Sequence, residues 1–288
     1  MLQVSMGALV SLVMIILICF VLPFALFYVL YRFADGKVKT LLIGGAAYLV
    51  SNVVADTIIV MILDAISNIN TNSIIYLFYA AVLSPAAFIA INYFIMKRFG
   101  KDNLRTTGDS MMYSLGYSTL SNVLSTGIIA VMYFLTLLDI RSRSENYLIV
   151  SDADYVSASN TVSATNLINE SVYKEMVKLC SEPVSYYITF IVNCLWAVAV
   201  FAALMIVLWL AVRKTEKFIL IAFAYVMRLL ITLPDIFNRF HVEKGSWISY
   251  FVMAVILVTV WAAAIFCRKN FIDSEDAISE KKQAEQDK

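Results

Sequence analysis

Charged residues are scarce in this 288-residue chain: they make up 15% of it, whereas soluble domains average roughly 25%. Histidine occurs once, and proline and cysteine four times each. So little charge excludes an ordinary soluble domain, and the net charge of +1 leaves no basic surplus for nucleic acid. The single histidine and the scattered cysteines predict no metal site, no cofactor and no disulfide framework.

Hydrophobic residues are abundant instead, at 61% of the chain, and the mean hydropathy is +0.80. Seven apolar runs have about the 20 residues that a helix needs to cross a hydrocarbon core. They cover 6–31, 40–64, 73–96, 108–138, 183–212, 217–236 and 246–267. Because backbone groups in lipid must pair within their own segment, the sequence predicts an all-α, polytopic membrane helical bundle of about seven transmembrane helices.

Basic residues are concentrated in alternate loops, and such loops face the cytoplasm. The basic set contains Arg32, Lys37, Lys39, Lys97, Arg98, Lys101, Arg105, Arg213, Lys214, Lys217, Arg268 and Lys269. The short loops of the other set hold only Arg239 and Lys244. We therefore expect the N-terminus outside and the C-terminus in the cytoplasm, in the cell membrane of a bacterium.

One transmembrane domain is expected over 1–270, with an outer loop at 139–182 that is too long for a plain connector. In this loop, apolar residues at helical spacing predict an amphipathic helix at about 165–181 that caps the bundle or lies on the membrane. They are Ile168, Val172, Met176 and Leu179. The charged segment 271–288 is expected to be a disordered cytoplasmic tail.

Asp56 in the second run and Arg228 in the sixth are ionisable residues at membrane depth. Such residues are costly there, so they usually face the bundle interior and have a partner. Their distances from the inner ends of their runs predict a contact between the two runs, in which Arg228 reaches Asp56 or meets Asn52 directly.

A polar stripe in the fourth run carries Ser114, Ser118, Ser121, Asn122 and Ser125. Small and hydroxyl residues on one helix face favour close packing with another helix, and a polar cavity or ligand pathway is the alternative. Asn193 in the fifth run is expected to join the same interior network.

Three segments carry a resemblance to a known family: LLIG at 41–44, YAAVLSPAAFIAINYFIMKRFG at 79–100 and GDSMMYSLGYSTLSNV at 108–123. With the predicted layout, the chain resembles the YhfC-type membrane peptidase family over roughly residues 20–240. That family is related to the CAAX-processing and bacteriocin-processing glutamic intramembrane proteases. The resemblance implies a protease-like fold.

The catalytic residues that the resemblance implies are missing. The family's Glu-Glu pair falls on Ser84 and Pro85, and its arginine on Phe88. In the fourth helix its histidine falls on Tyr117 and its acid on Ser121. The matching positions of that helix are Asp109, Tyr113 and Gly116. A serine or tyrosine without a base beside it does not replace such groups, so the resemblance implies a pseudoenzyme.

Several functions remain open at this point. The first is a non-catalytic membrane protein that binds or regulates another membrane component, with membrane lipids and another membrane protein or peptide as partners. A carrier for a small solute or ion, with a polar site at the midplane, is the second. The third is an active peptidase with an atypical site, and the fourth is a receptor-like protein. The candidate interior or binding residues are Asn52, Asp56, Ser114, Tyr117, Ser118, Ser121, Asn122, Asn193 and Arg228.

Overall fold

The computed structural model describes residues 5–67, 73–99, 103–143, 148–150, 167–169, 174, 177–178, 180, 182–213, 217–239 and 247–269. Within these ranges seven helices follow one another, and four of them contain a π-helical segment. The first four are α1 (Met6–Ile16, π-helical Leu17–Val21, Leu22–Phe33), α2 (Val38–Tyr48, π-helical Leu49–Asp56, Thr57–Ser67), α3 (Ser73–Phe78, π-helical Tyr79–Leu83, Ser84–Phe99) and α4 (Thr107–Asn122, π-helical Val123–Gly127, Ile128–Arg143). The last three are α5 (Val184–Arg213), α6 (Lys217–Arg239) and α7 (Trp247–Arg268).

Six of the described helices are long and apolar enough to cross a membrane, which confirms a helical, multi-pass membrane protein. They cover Met6–Phe33, Val38–Ile66, Ile74–Phe99, Thr107–Arg141, Val184–Arg213 and Tyr250–Arg268. The apolar part of α6, Phe218–Leu233, is shorter than these. The count of seven spans and the orientation of the termini therefore stay predictions.

Two short strands lie between α4 and α5. β1 (Leu148–Val150) and β2 (Leu167–Asn169) pair in parallel. The helix predicted at about 165–181 is therefore wrong over 167–169, because these residues pair with another strand. Helical backbone occurs farther along, at the described residues Lys174, Val177, Lys178 and Cys180. Most of the outer loop and the tail 271–288 lie outside the described residues, as does His241.

The chain separates into two compact units by its internal contacts. One comprises Met1–Leu22 and Val123–Cys194, and the other comprises Pro23–Asn122 and Leu195–Lys288. The single domain that the sequence predicts over 1–270 stays a prediction.

The core of the first unit is formed by apolar side chains of α1, the second half of α4 and the start of α5. Its π-helical segments Leu17–Val21 and Val123–Gly127 pack against each other, and Gly127 allows this approach. A Cβ atom on Gly127 would lie only 3.1 Å from the ring of Phe20 and 3.2 Å from Cβ of Cys19. A side chain at this position would therefore require Phe20 or Cys19 to shift by a few tenths of an ångström.

Close packing of α2 against the first half of α4 organises the second unit. A Cβ atom on Gly44 would overlap the carbonyl oxygen of Tyr113, and one on Gly116 would overlap the carbonyl oxygen of Leu41. Small residues at a crossing let two helix backbones approach each other in a membrane. This contact holds the first half of α4 against α2.

Two of the π-helical segments come just before a proline, Pro23 in α1 and Pro85 in α3. A proline ring removes one N–H donor and presses against the preceding turn, and a wider π-helical turn accommodates both effects. α3 therefore continues through Ser84-Pro85 by way of the π-helical turn just before them.

Candidate functional site

Asp56 is the last residue of the π-helical segment of α2, and its carboxylate faces α3. The hydroxyl groups of Tyr79 and Ser84 both donate hydrogen bonds to it. These donors flank the π-helical segment of α3, one at its first residue and one just after its last. The π-helical turns of the two helices therefore bring one carboxylate and two hydroxyl groups together.

The same groups lie deep in the membrane-spanning part of the chain. Asp56 is ten residues from Ile66 and Ser84 is ten residues from Ile74, at the ends of their spans, which corresponds to about 15 Å along each helix. Because a hydrocarbon core is about 30 Å thick, both groups lie near its middle. Asp56 is only half-buried there, and its helix neighbour Val53 is 45% exposed.

Arg228 of α6 is buried, with 9% of its surface exposed. Its guanidinium carbon lies 4.6 Å from the ring centre of Phe88 and 5.6 Å from that of Phe201, the geometry of a cation–π contact. Its Nε atom has no hydrogen-bond partner among the described residues. Aromatic faces therefore hold this cation and leave one donor unused.

The charges of Asp56 and Arg228 attract each other across the site. These two described residues form no direct salt bridge. The salt bridge found among the described residues joins Lys37 and Asp109. The predicted direct contact of Arg228 with Asp56 therefore does not form, and Arg228 packs against rings of α3 and α5. We refer to Asp56, Tyr79, Ser84 and Arg228 as the Asp56 cluster.

Tyr117 of α4 links this cluster to α2 through hydrogen bonds. Ser51 donates to the carbonyl oxygen of Ala47 at 2.7 Å and lies 3.1 Å from the Tyr117 hydroxyl. The amide of Asn52 also donates to Tyr117. Because each hydroxyl has one hydrogen, Tyr117 donates to Ser51 and accepts from Asn52. Asn52 therefore contacts Tyr117, and the predicted direct contact with Arg228 does not form.

A second buried hydrogen-bond chain lies next to Tyr117. The hydroxyl of Tyr113 donates to the side-chain oxygen of Asn92 at 2.8 Å, and the amide of Asn92 donates to the carbonyl oxygen of Phe88 at 2.9 Å. Tyr113, Asn92 and Tyr117 are all completely buried. These chains satisfy polar groups in the interior and hold α3 against α4.

The polar stripe of α4 is mostly packed. Ser114 and Ser118 are buried, and Ser118 donates to the carbonyl oxygen of Ser114 at 2.9 Å. Asn122 is buried as well, and Ser121 hydrogen-bonds the hydroxyl of Tyr48. Close helix packing, the first of the two predicted roles, agrees with this burial.

Asn193 lies in the first unit, and its side chain is exposed. The prediction of an interior role for Asn193 is wrong because one polar residue in an apolar run does not reveal which way its helix face points.

Asp109 stabilises the start of α4 through hydrogen bonds with the backbone. Its carboxylate accepts hydrogen bonds from the backbone N–H groups of Lys37, Arg105 and Thr106, at 2.9 to 3.2 Å. In return, the Thr106 hydroxyl accepts from the Asp109 N–H at 3.1 Å, a reciprocal cap of the helix. Both carboxylate oxygens of Asp109 therefore accept hydrogen bonds that join the α1–α2 loop to the start of α4.

The positions that the family resemblance highlighted meet in space. Ser84 donates to Asp56, and the Phe88 ring lies under Arg228. The ring centres of Phe88 and Tyr117 are 5.4 Å apart. An acid from α2 and a cation from α6 thus lie beside Ser84 and Phe88 of α3.

Sequence reasoning missed several members of the site, above all Tyr79, Asn92 and Phe201. Aromatic residues are common throughout membrane spans, so their type gives no signal of a role. The five-residue spacing from Tyr79 to Ser84, just before Pro85, is the one local sign that both face the same partner across a π-helical turn.

These observations define a multi-pass helical membrane protein with a polar cluster of opposite charges near the middle of its spans. Among the described residues no group of three or more histidine, cysteine, aspartate or glutamate side chains is placed to hold a metal ion. No family model, curated protein or solved structure matches this chain.

Proposed function

We propose that this chain is a non-catalytic, multi-pass membrane protein that binds a polar group of another membrane component at the Asp56 cluster. The observation that carries the proposal is the half-buried carboxylate of Asp56 near mid-membrane, whose hydrogen-bond donors among the described residues are the hydroxyl groups of Tyr79 and Ser84. A carboxylate at this depth is costly without a strong partner. A hydrogen-bond donor or a cation on a neighbouring membrane segment supplies one.

Binding without cutting agrees better with the cluster than peptide-bond hydrolysis does. Hydrolysis requires a group that takes a proton from water and donors that stabilise the oxyanion. Asp56 already accepts hydrogen bonds from Tyr79 and Ser84, and the described cluster has no second carboxylate and no histidine. The proposal includes the fold of the glutamic intramembrane proteases that the chain resembles. In it, the chain is a pseudoenzyme of that fold and lies in a bacterial plasma membrane.

Synthetic transmembrane peptides test the binding proposal directly. Each peptide is a polyleucine helix with lysine, glutamine or leucine at its centre, and energy transfer from labelled protein in proteoliposomes measures association. We expect the lysine peptide to bind most tightly and Asp56→Asn to weaken its binding about tenfold, the loss of one charge-assisted hydrogen bond. Equal binding of the lysine and leucine peptides contradicts the proposal.

Asp64→Asn is the matched control, because Asp64 is an exposed aspartate on the same helix near the end of its span. It leaves peptide binding unchanged. Mass spectrometry of the same samples reports cleavage: intact peptides are expected, and fragments that disappear with Asp56→Asn establish an atypical peptidase instead.

A carrier of a small cation is the second candidate, and the π-helical segments favour it. Both interruptions adjoin Asp56, and transporter sites near the midplane are often built on interrupted helices. Uptake of radiolabelled cations into proteoliposomes tests this function. Flux that Asp56→Asn abolishes and Asp64→Asn preserves favours the carrier over the binding protein.

A further inference from the structure

A cavity of about 550 Å³ lies in the second unit, where the ends of α3 and α5 meet the segment just before α4. On α3 its lining begins at Phe94, ten residues after Ser84 of the Asp56 cluster, and nothing described so far uses it. Its lining residues are Phe94, Met96, Lys97, Arg98, Leu104, Arg105, Trp209, Val212 and Arg213.

Four of the nine lining residues are cations and none is an acid. Lys97 and Arg98 lie in the last turn of α3 and Arg213 in the last turn of α5, while Arg105 comes from the segment before α4. Arg105 and Arg213 are exposed, so these charges stay available to a ligand. A cavity with this charge selects an anion.

Part of the cavity lining is buried and apolar. Met96, Leu104 and Trp209 are all buried, and the indole N–H of Trp209 donates to the carbonyl oxygen of Leu104 at 3.0 Å. Arg213 lies over the Trp209 ring at 5.4 Å and donates a hydrogen bond to the carbonyl oxygen of Arg105. These contacts connect α5 to the segment before α4 and hold the cavity open.

The position of the cavity indicates what kind of anion occupies it. It opens at the ends of two membrane-spanning helices, at the level where lipid headgroups meet the hydrocarbon. Phe94, 63% exposed, stands at the rim one turn before the cations of α3 and offers an apolar surface for acyl chains. This end of the spans also carries the basic loops, and basic pockets between helices at such an end suit anionic headgroups.

We propose that this cavity binds one anionic phospholipid, with the phosphate between the Lys97, Arg98, Arg105 and Arg213 side chains and the acyl chains along Phe94. The oxygens of a phosphate group accept hydrogen bonds from arginine in a paired geometry. The lipid neutralises charges that the described lining leaves without an acid. A bound lipid also joins α3, α5 and the start of α4.

Native mass spectrometry of the full-length protein tests this proposal with lipids of matched chain length. We expect phosphatidylglycerol to remain bound and phosphatidylcholine to dissociate. The double variant Lys97→Gln with Arg98→Gln removes two cations without touching the contacts of Arg213, and weakens retention of phosphatidylglycerol by about tenfold or more. Arg32→Gln, a basic residue at the same end of the spans and outside the cavity, is the control and changes nothing.

Two further measurements distinguish binding of a lipid from binding of a free anion. Glycerol phosphate and inorganic phosphate are titrated against the protein by calorimetry at the same ionic strength. Binding of either as tightly as phosphatidylglycerol shows a site for a soluble anion and overturns the lipid proposal. Equal retention of phosphatidylglycerol and phosphatidylcholine, or unchanged retention in the double variant, overturns it as well.

Discussion

The hydroxyl of Tyr225 on α6 donates a hydrogen bond to the carbonyl oxygen of Ala81 on α3 at 2.8 Å. That carbonyl lies four residues before Pro85, which has no N–H to offer it in an α-helical turn. Pro85 therefore leaves the carbonyl oxygen of Ala81 available to accept a hydrogen bond from α6, next to the Asp56 cluster.

Replacement of Tyr225 by phenylalanine should destabilise the second unit by about 1 kcal/mol, because it removes this donor and leaves a carbonyl group unpaired at membrane depth. Reversible unfolding by dodecyl sulfate in mixed micelles measures the free energy. Tyr28→Phe, at a tyrosine that is 63% exposed, should leave it unchanged. Equal effects of the two substitutions would show that the Ala81 contact contributes nothing.

Helix positions were the part of the fold that the sequence predicted well. The run at 183–212 corresponds to Val184–Arg213 and the run at 108–138 to Thr107–Arg141, because a long apolar run has few alternatives to a membrane helix. The strand Leu167–Asn169 was missed because a segment of three residues fits helical and extended patterns equally well.

The charged members of the site were predicted and their surroundings were not. Asp56 and Arg228 stand out because ionisable residues are rare in spans. The aromatic partners of Arg228 were invisible, since Phe88 and Phe201 look like any other membrane residues until the helices are packed. The π-helical turns that aim Asp56 at Tyr79 leave no trace in hydropathy.

Neighbouring glycines of α2 should respond differently to the same change. Gly44→Ala places a Cβ atom against the carbonyl oxygen of Tyr113, whereas a Cβ atom at Gly45 would meet its nearest neighbour at 3.7 Å, an ordinary contact. We expect Gly44→Ala to cost about 1–3 kcal/mol or to prevent folding, and Gly45→Ala to be neutral. Melting temperatures in detergent check this, and equal melting temperatures would contradict the close approach of α2 and α4.

A double-mutant cycle should detect the attraction between Asp56 and Arg228. Asp56→Asn and Arg228→Gln, separately and together, should show a coupling of about 0.5 kcal/mol or more in unfolding free energy, because each charge stabilises the other at a depth where water screens poorly. The same cycle with Asp64→Asn should be additive. Coupling of the same size in both cycles would show that Arg228 does not discriminate between the two aspartates.

Labelling of Cys180 tests both the predicted orientation and the burial of its thiol. In a variant with Cys19, Cys194 and Cys267 replaced by alanine, a membrane-impermeant maleimide should label Cys180 from outside intact cells. Burial raises the pKa of the Cys180 thiol, so less of it is thiolate at a given pH. Its labelling rate should therefore be lower than that of an exposed thiol and keep rising to higher pH.

An exposed reference for this measurement is Ser5→Cys with Cys180→Ala in the same background, at a position the sequence also predicts to be outside. Labelling of both thiols only after permeabilisation would reverse the orientation. Identical pH profiles for the two would show that Cys180 is as accessible as Ser5.

The packing of the first unit predicts a specific cross-link. Sγ of Cys19 lies 3.7 Å from Sγ of Cys194, in a buried contact between α1 and α5. A disulfide needs about 2.05 Å between these atoms, a small movement for two side chains, so copper phenanthroline should join them. Mass spectrometry of proteolytic peptides detects the link, and Cys194→Ser serves as the control that lacks it. Free thiols at both positions after complete oxidation of an exposed reference cysteine would mean that α1 and α5 are not in this register, because a pair held this close oxidises once the reagent reaches it.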